Sequence, residues 1–177
     1  MRRLAAALLA VAPLAWAREA PLALDQEVRH PAGSFVFRVP ADWKVGPLSE
    51  RVIEAGAGDL SVRFIWQKSE FGTDVAHTDC MTEQPVAGLP GVPRVSFEYD
   101  FMGGVVGDRR LLDSASHLDY EAPVKGHRSW RQRAVTIVGG GETLCAVSFA
   151  PRSAKKETRR LLDAILTSLM FLPPPAR

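Results

Sequence analysis

No segment of this 177-residue chain stays apolar for the ~20 consecutive residues that a membrane-spanning helix needs. The longest apolar run, Leu4 to Leu14, is about half that length and is interrupted by Pro13. Cysteine is reduced to one pair, Cys80 and Cys145, and histidine to four scattered residues, His30, His77, His117 and His127. That leaves little for a zinc site, which needs several His or Cys ligands close together. Continuous Val/Ile/Leu runs are missing, and with them the mark of a parallel α/β sheet buried on both faces. There is no repeat, domain linker or low-complexity tract, and no G-x-S-x-G nucleophile elbow. Gly103-Gly104-Val105-Val106-Gly107 lacks the Lys-Ser/Thr ending of a phosphate-binding loop and the helix start behind it, so it reads as a mobile loop.

What is present begins with a pattern for export. Met1-Arg2-Arg3 is a positive start, Leu4 to Leu14 an apolar centre, and Ala15-Trp16-Ala17 a small-residue cleavage site. Residues 1–17 are expected to be a signal peptide cut before Arg18, giving a soluble periplasmic or secreted product with no transmembrane segment. An uncleaved anchor is the rival. A lipid anchor is disfavoured, because no cysteine lies near the cleavage site. Removing residues 1–17 from the 177 leaves 160, the size of one domain. It also removes Arg2 and Arg3 from the 22 basic residues, so the net charge falls from +2 to zero against 20 acids. The sequence pI of about 8.7 is therefore partly a property of the leader, and a neutral chain offers no electrostatic footprint for nucleic acid. In an oxidising compartment Cys80 and Cys145 are most simply one disulfide, which the chain-entropy model values at about 4 kcal/mol. Two buried thiols and a reactive or metal-binding thiol remain the alternatives.

Residues 18–33 read as an extended lead-in and 34–172 as a single domain, with a tail at 173–177. Phe35, Phe37 and Val39 alternate with Val36 and Arg38, Pro40-Ala41-Asp42-Trp43 is a turn, and a weak strand follows at residues 51–55. Leu60, Val62, Phe64 and Trp66 form a second apolar face, with Trp43 and Trp66 read as core. Val95, Phe97, Tyr99 and Phe101 form a third, read as buried against a solvated Ser96, Glu98 and Asp100. Such alternation belongs to antiparallel sheets with one covered face. A short helix is expected near 73–83, then an irregular loop through Pro85, Pro90 and Pro93. Residues 109–120 are ambiguous, with a strand favoured in part. Residues 129–138 and 143–149 form a hairpin across Gly139-Gly140-Gly141-Glu142. Ser153 is a candidate N-cap for a last helix. Its stripe of Leu161, Leu162, Ile165, Leu166, Leu169 and Met170 recurs at a period near 3.6, while Arg159, Arg160 and Asp163 face away.

The segment Phe35-Val36-Phe37-Arg38-Val39-Pro40-Ala41-Asp42-Trp43 resembles the F-x-apolar-P-x-x-W opening of the PsbP-like superfamily, which includes exported bacterial DcrB-like proteins. The ending is similar too: Val147-Ser148-Phe149-Ala150-Pro151, then a helix closing in Ile165-Leu166-Thr167-Ser168-Leu169-Met170-Phe171. The resemblance covers the two ends of the mature chain and not its middle. It implies an α+β sandwich with a central antiparallel β-sheet covered by helices, including the amphipathic C-terminal one. It also implies a non-catalytic protein that acts by binding partners, and it transfers no site residue.

Three residue groups invite chemistry. Asp74, His77, Asp79, Cys80 and Glu83 could seed a metal site on one helix face; a solvated helix with one disulfide cysteine is the plainer reading. Ser114, Ser116, His117 and Asp119 are neighbours, but on a strand Ser116 and His117 point to opposite faces. Arg109, Arg110, Arg128, Trp130, Arg131 and Arg133 suggest a surface for a carboxylate or phosphate ligand, against ordinary charge paired with Asp and Glu. The expectation is a non-catalytic binding or accessory protein of the cell envelope, with no catalytic residue, metal or cofactor. Its partner would be an envelope protein or an anionic ligand. A hydrolase or metal-dependent enzyme built on residues 74–83 or 114–119 is the alternative.

Overall fold

Alternating side chains dictate strands, and the chain is a strand wherever the alternation is clean. The computed structural model describes residues 22–30, 35–68, 72–82 and 92–172. The expected signal peptide, Glu83, Pro85, Pro90 and the tail lie outside these residues. In chain order the elements are β1 (Gln26–Arg29), β2 (Phe35–Val39), β3 (Lys44–Ser49), β4 (Val52–Ala57), β5 (Leu60–Gln67) and α1 (Thr73–Thr82). They continue with β6 (Arg94–Val106), β7 (Arg109–Val124), β8 (His127–Gly139), β9 (Glu142–Pro151), α2 (Lys156–Thr167) and β10 (Met170–Phe171). The fold is α+β. Seven antiparallel strands form the main sheet in the order β3-β4-β5-β9-β8-β7-β6, and a small sheet has the order β1-β2-β10. After β5 the chain crosses the main sheet through α1 to the far edge. It returns by three hairpins, β6 to β9, until β9 pairs with β5.

The register sorts the main sheet into two faces. Val62 and Phe64 of β5, Leu144 and Ala146 of β9 and Val135 and Ile137 of β8 share one face with the small sheet and α2. There Phe37 stacks on Phe64 with ring centroids 3.7 Å apart. Trp43, placed by its N–H donating to the carbonyl of Pro40, closes one end of this core. Leu162, Ile165 and Leu166 of α2 are buried in it, with Leu161 and Leu169 packed at its margin. The opposite face carries Ile65, Ala134, Cys145 and Val147, covered by α1 through Cys80, and a separate cluster of Trp130, Phe149, Leu118, Tyr120 and Val124.

Several expectations are corrected. The residue pair Gly103-Gly104 lies inside a strand, because β6 runs to Val106 and the turn is at Gly107, whose φ of 65° suits glycine. Residues 109–120 belong wholly to β7. The lead-in contributes β1, which pairs antiparallel with β2. β3 adds an edge strand before β4, which is where Pro47 can be tolerated. The N-cap of α2 is Lys155 rather than Ser153, and it makes no side-chain capping bond. Met170 leaves the helix stripe for β10, and Asp163 turns to the sheet instead of solvent. The β8–β9 hairpin is as expected, closed by Gly140 and Gly141 with φ of 68° and 79°.

The roof helix yields a direct test. Ile165 is fully buried, so Ile165→Ala should cost about 3 kcal/mol through lost transfer energy and a residual cavity. Urea unfolding followed by tryptophan fluorescence should show a lowered midpoint with an unchanged slope.

Candidate interaction surface

α1 has no continuous apolar stripe; its buried residues are Ala76, His77 and Cys80. Two polar devices and one covalent one hold it down. Cys80 is disulfide-bonded to Cys145 of β9, with Cα atoms 5.7 Å apart. The side-chain amide of Gln132 donates to the carbonyl of Met81 at 2.9 Å. His77 lies 2.9 Å by Nδ1 from Thr136 Oγ1 and 2.7 Å by Nε2 from Ser114 Oγ. The structure thus joins two of the sequence-derived groups, 74–83 and 114–119, through a His–Ser contact.

The surroundings of that contact are structural. His77 and Ser114 are 0% and 1% exposed. Ser114 Oγ donates onward to Met81 Sδ at 3.3 Å. A neutral ring then satisfies both its ends by donating from Nε2 to Ser114 and accepting at Nδ1 from Thr136. A serine made nucleophilic by histidine needs the reverse polarity, with its proton passing to the ring. Burial lowers the His77 pKa, opposed by the negative charges of Asp113, Asp100 and Asp74. The remaining members of the two groups disperse. Ser116 is buried on the α1 side, whereas His117 faces the other way and lies 3.2 Å from Glu98. Asp119 accepts from Ser129 Oγ at 2.6 Å. Among the described residues no three His, Cys, Asp or Glu side chains converge as metal ligands.

The arginine group is divided as well. Arg131 and Arg133 point towards α2, and both are mostly covered by carboxylates. Arg133 forks onto Asp113 at 3.1 and 2.7 Å and reaches Asp163 at 2.7 Å. Those bonds to Asp113, ahead of the desolvation they oppose, hold its guanidinium firmly charged. Tyr99 donates to the same Asp113 at 3.0 Å, and burial pushes its phenol up to about 12. Arg131 bonds Glu98 at 2.8 Å. Trp130 is on the opposite face, fully buried and stacked on Phe149 at 4.4 Å. Arg109 lies over the Phe171 ring at 3.8 Å and donates to the carbonyl of Gly139 at 2.7 Å. Arg110 and Arg128 are exposed, at opposite ends of the β7–β8 ladder. The six residues do not form one surface.

What the sequence placed in the core is the most conspicuous surface feature. Val95, Phe97 and Phe101 are 46%, 49% and 45% exposed. Val92 and Val105 are exposed on the same side, and Met102 and Val106 on the reverse face of the strand. The cause is positional: β6 is the last strand of the sheet, and α1 packs chiefly over β8, β9 and β7, meeting β6 where the His77 ring lies edge-on to Phe101 with centroids 5.4 Å apart. Between α1 and β6 runs an open groove of about 340 Å³ whose apolar walls include Met81, Pro93, Val95, Phe97, Phe101 and Leu118. Among the described residues no charged side chain lines it. Regular pairing of β6 with β7 is interrupted between Phe97 and Met102, where Phe101 adopts a φ of 42°.

The buried histidines set a pH dependence. His77 and His30 both have pKa values lowered from 6.5, chiefly by desolvation. The unfolded chain therefore binds more protons than the folded one as pH falls past 6.5, and stability should drop in that window while staying full above it. Unfolding free energy at pH 7.5 and 5.5 should show this loss, and His77→Asn should reduce the difference.

No protein-family model matches the chain, and no curated protein matches it. Solved structures do. The solution structure of cyanobacterial PsbP (CyanoP) from Synechocystis sp. PCC 6803 superimposes with a TM-score of 0.60 at 12% identity, over 82% of this chain and 91% of that one. A crystal structure from Bacteroides thetaiotaomicron VPI-5482 has a TM-score of 0.51 at 11% identity, over 81% of this chain and 47% of that one. At these identities the likeness concerns architecture, and it agrees with the motifs at the two ends of the chain: this protein has a PsbP-like fold.

Proposed function

We propose that the protein is a non-catalytic binding or accessory protein exported to the cell envelope, and that β6 is where it meets another protein. The observation that carries this reading is the set of exposed apolar side chains on and just before β6, Val92, Val95, Phe97, Phe101 and Val105 beside the groove and Met102 and Val106 on the reverse face, on a strand whose outer edge is unpaired among the described residues. Exposed apolar area concentrated in this way marks contact surfaces. An edge strand also offers unpaired N–H and C=O groups to an extended segment of a partner. The partner so favoured supplies a strand with apolar side chains, some seated in the groove beside α1. Export is supported by the leader-like residues 1–17 and by the disulfide, which fits an oxidising compartment. No helix among the described residues is long and apolar enough to cross a membrane. A hydrolase at His77 and Ser114 would need substrate to reach two side chains that are sealed beneath α1.

A photo-crosslinking residue at position 97 or 105 should capture one reproducible envelope protein, and one at exposed Glu157 should not. Phe97→Glu with Val105→Glu should abolish capture while leaving the melting temperature within a few degrees. Equal capture from all three positions, or capture insensitive to the double substitution, would contradict the assignment to β6.

A further inference from the structure

Independently of β6, we propose that the end of the molecule where the β7–β8 turn meets the chain leaving β9 binds a phosphate-type oxyanion. An open cleft of about 480 Å³ lies there, lined by Gly126, His127, Arg128, Ser129, Arg152 and Ser153. Its two walls are tied together. The Arg152 N–H donates to the Ser129 carbonyl at 2.9 Å, and Trp130 pairs with Pro151 in the β8–β9 ladder. Trp130 beneath them is fully buried, and its Nε1 donates to the His127 carbonyl at 3.2 Å. The cleft is thus carried on a fixed base rather than on a free loop.

Its charge is one-sided. Arg128 and Arg152 are exposed, and neither guanidinium has an ion pair or hydrogen bond among the described residues. The contrast is with Arg38, Arg63, Arg131 and Arg133, each of which meets a carboxylate. Lys155 and Lys156 follow directly and are exposed too. They stand at the start of α2, where positive charge opposes the helix dipole and no side chain caps the helix. Two carboxylates are near, and both are engaged: Asp59 with His127 at 3.2 Å, and Asp119 with Ser129 Oγ at 2.6 Å. Glu121 and Glu157 are the exposed acids on the flanking segments.

The donors left for a ligand are two guanidinium forks and the Ser153 hydroxyl. Guanidinium forks match the oxygen pairs of phosphate and carboxylate alike. Two forks and a hydroxyl exceed what the two oxygens of one carboxylate can accept, and suit the three or four of a phosphate. A phosphate compound in solution and the phosphate of an anionic lipid headgroup present the same chemistry.

The full mature chain can be titrated with inorganic phosphate while backbone amide resonances are followed, with chloride at matched ionic strength as control. In parallel it can be sedimented with phosphatidylglycerol vesicles and with phosphatidylcholine vesicles. Saturable shifts confined to residues 126–129 and 152–156, weakened at least tenfold in Arg128→Gln/Arg152→Gln, are expected. Selective sedimentation with phosphatidylglycerol that the double variant loses assigns the headgroup as source, and phosphate binding without sedimentation assigns a soluble compound. Both substitutions are on exposed side chains, and an unchanged melting curve checks the fold. Binding of neither probe, shifts that chloride reproduces, or binding that the double variant retains would overturn the proposal.

Discussion

A seven-stranded sheet has two faces, and this chain roofs them by different physics. On one face the small sheet and α2 bring Phe35, Phe37, Leu162 and Ile165 onto Phe64 and Leu144, a broad apolar contact to which the Arg133–Asp163 pair adds a polar tie. Burying these side chains supplies the main drive to fold. On the other face α1 has little apolar surface to contribute, and its position is fixed by a disulfide, a buried histidine and a hydrogen bond from the Gln132 side-chain amide. Directional anchors of this kind hold one small area and do not extend cover sideways. The far strand β6, touched by α1 at Phe101, is left largely exposed as a consequence.

That asymmetry links sequence to surface. The apolar alternation of Val95, Phe97 and Phe101 is as clean as that of Leu60 to Trp66. Periodicity reports that one side of a strand is apolar, not that anything lies on it. β5 is flanked by β4 and β9 and covered by Phe35 and Phe37. Among the described residues β6 has a strand neighbour on one side, and the covering helix lies mainly over the other strands, meeting β6 at the His77–Phe101 contact. Nothing local to residues 94–106 encodes this difference, because it follows from the order of strands in the sheet.

Other features divide along the same line. The opening strand with its Pro-x-x-Trp turn, the glycine hairpin, the amphipathic last helix and the Cys80–Cys145 pair were legible, since each is set by short-range pattern or by simple parity. Residues 109–120 were not, because Ser114 and Ser116 face a polar helix and so break the alternation of a buried strand. Arg131 and Arg133 share one face of β8, as the two-residue period of a strand requires. Their partners, Glu98, Asp113 and Asp163, come from three other elements and could not be assigned from spacing. The contact between His77 and Ser114 had no sequence signal beyond the presence of both residue types. Arg152, remote in sequence from Arg128, joined it only through the β8–β9 ladder.

α1 is anchored at points, and β6 beyond it is largely uncovered. Backbone hydrogen exchange, measured residue by residue in the oxidised protein and again after reduction of Cys80–Cys145, tests this arrangement most directly. Amides of β5 and β9 should stay protected in both states, those on the outer edge of β6 should exchange rapidly in both, and α1 should lose protection on reduction. Strong protection along the outer edge of β6, or an α1 indifferent to reduction, would contradict it.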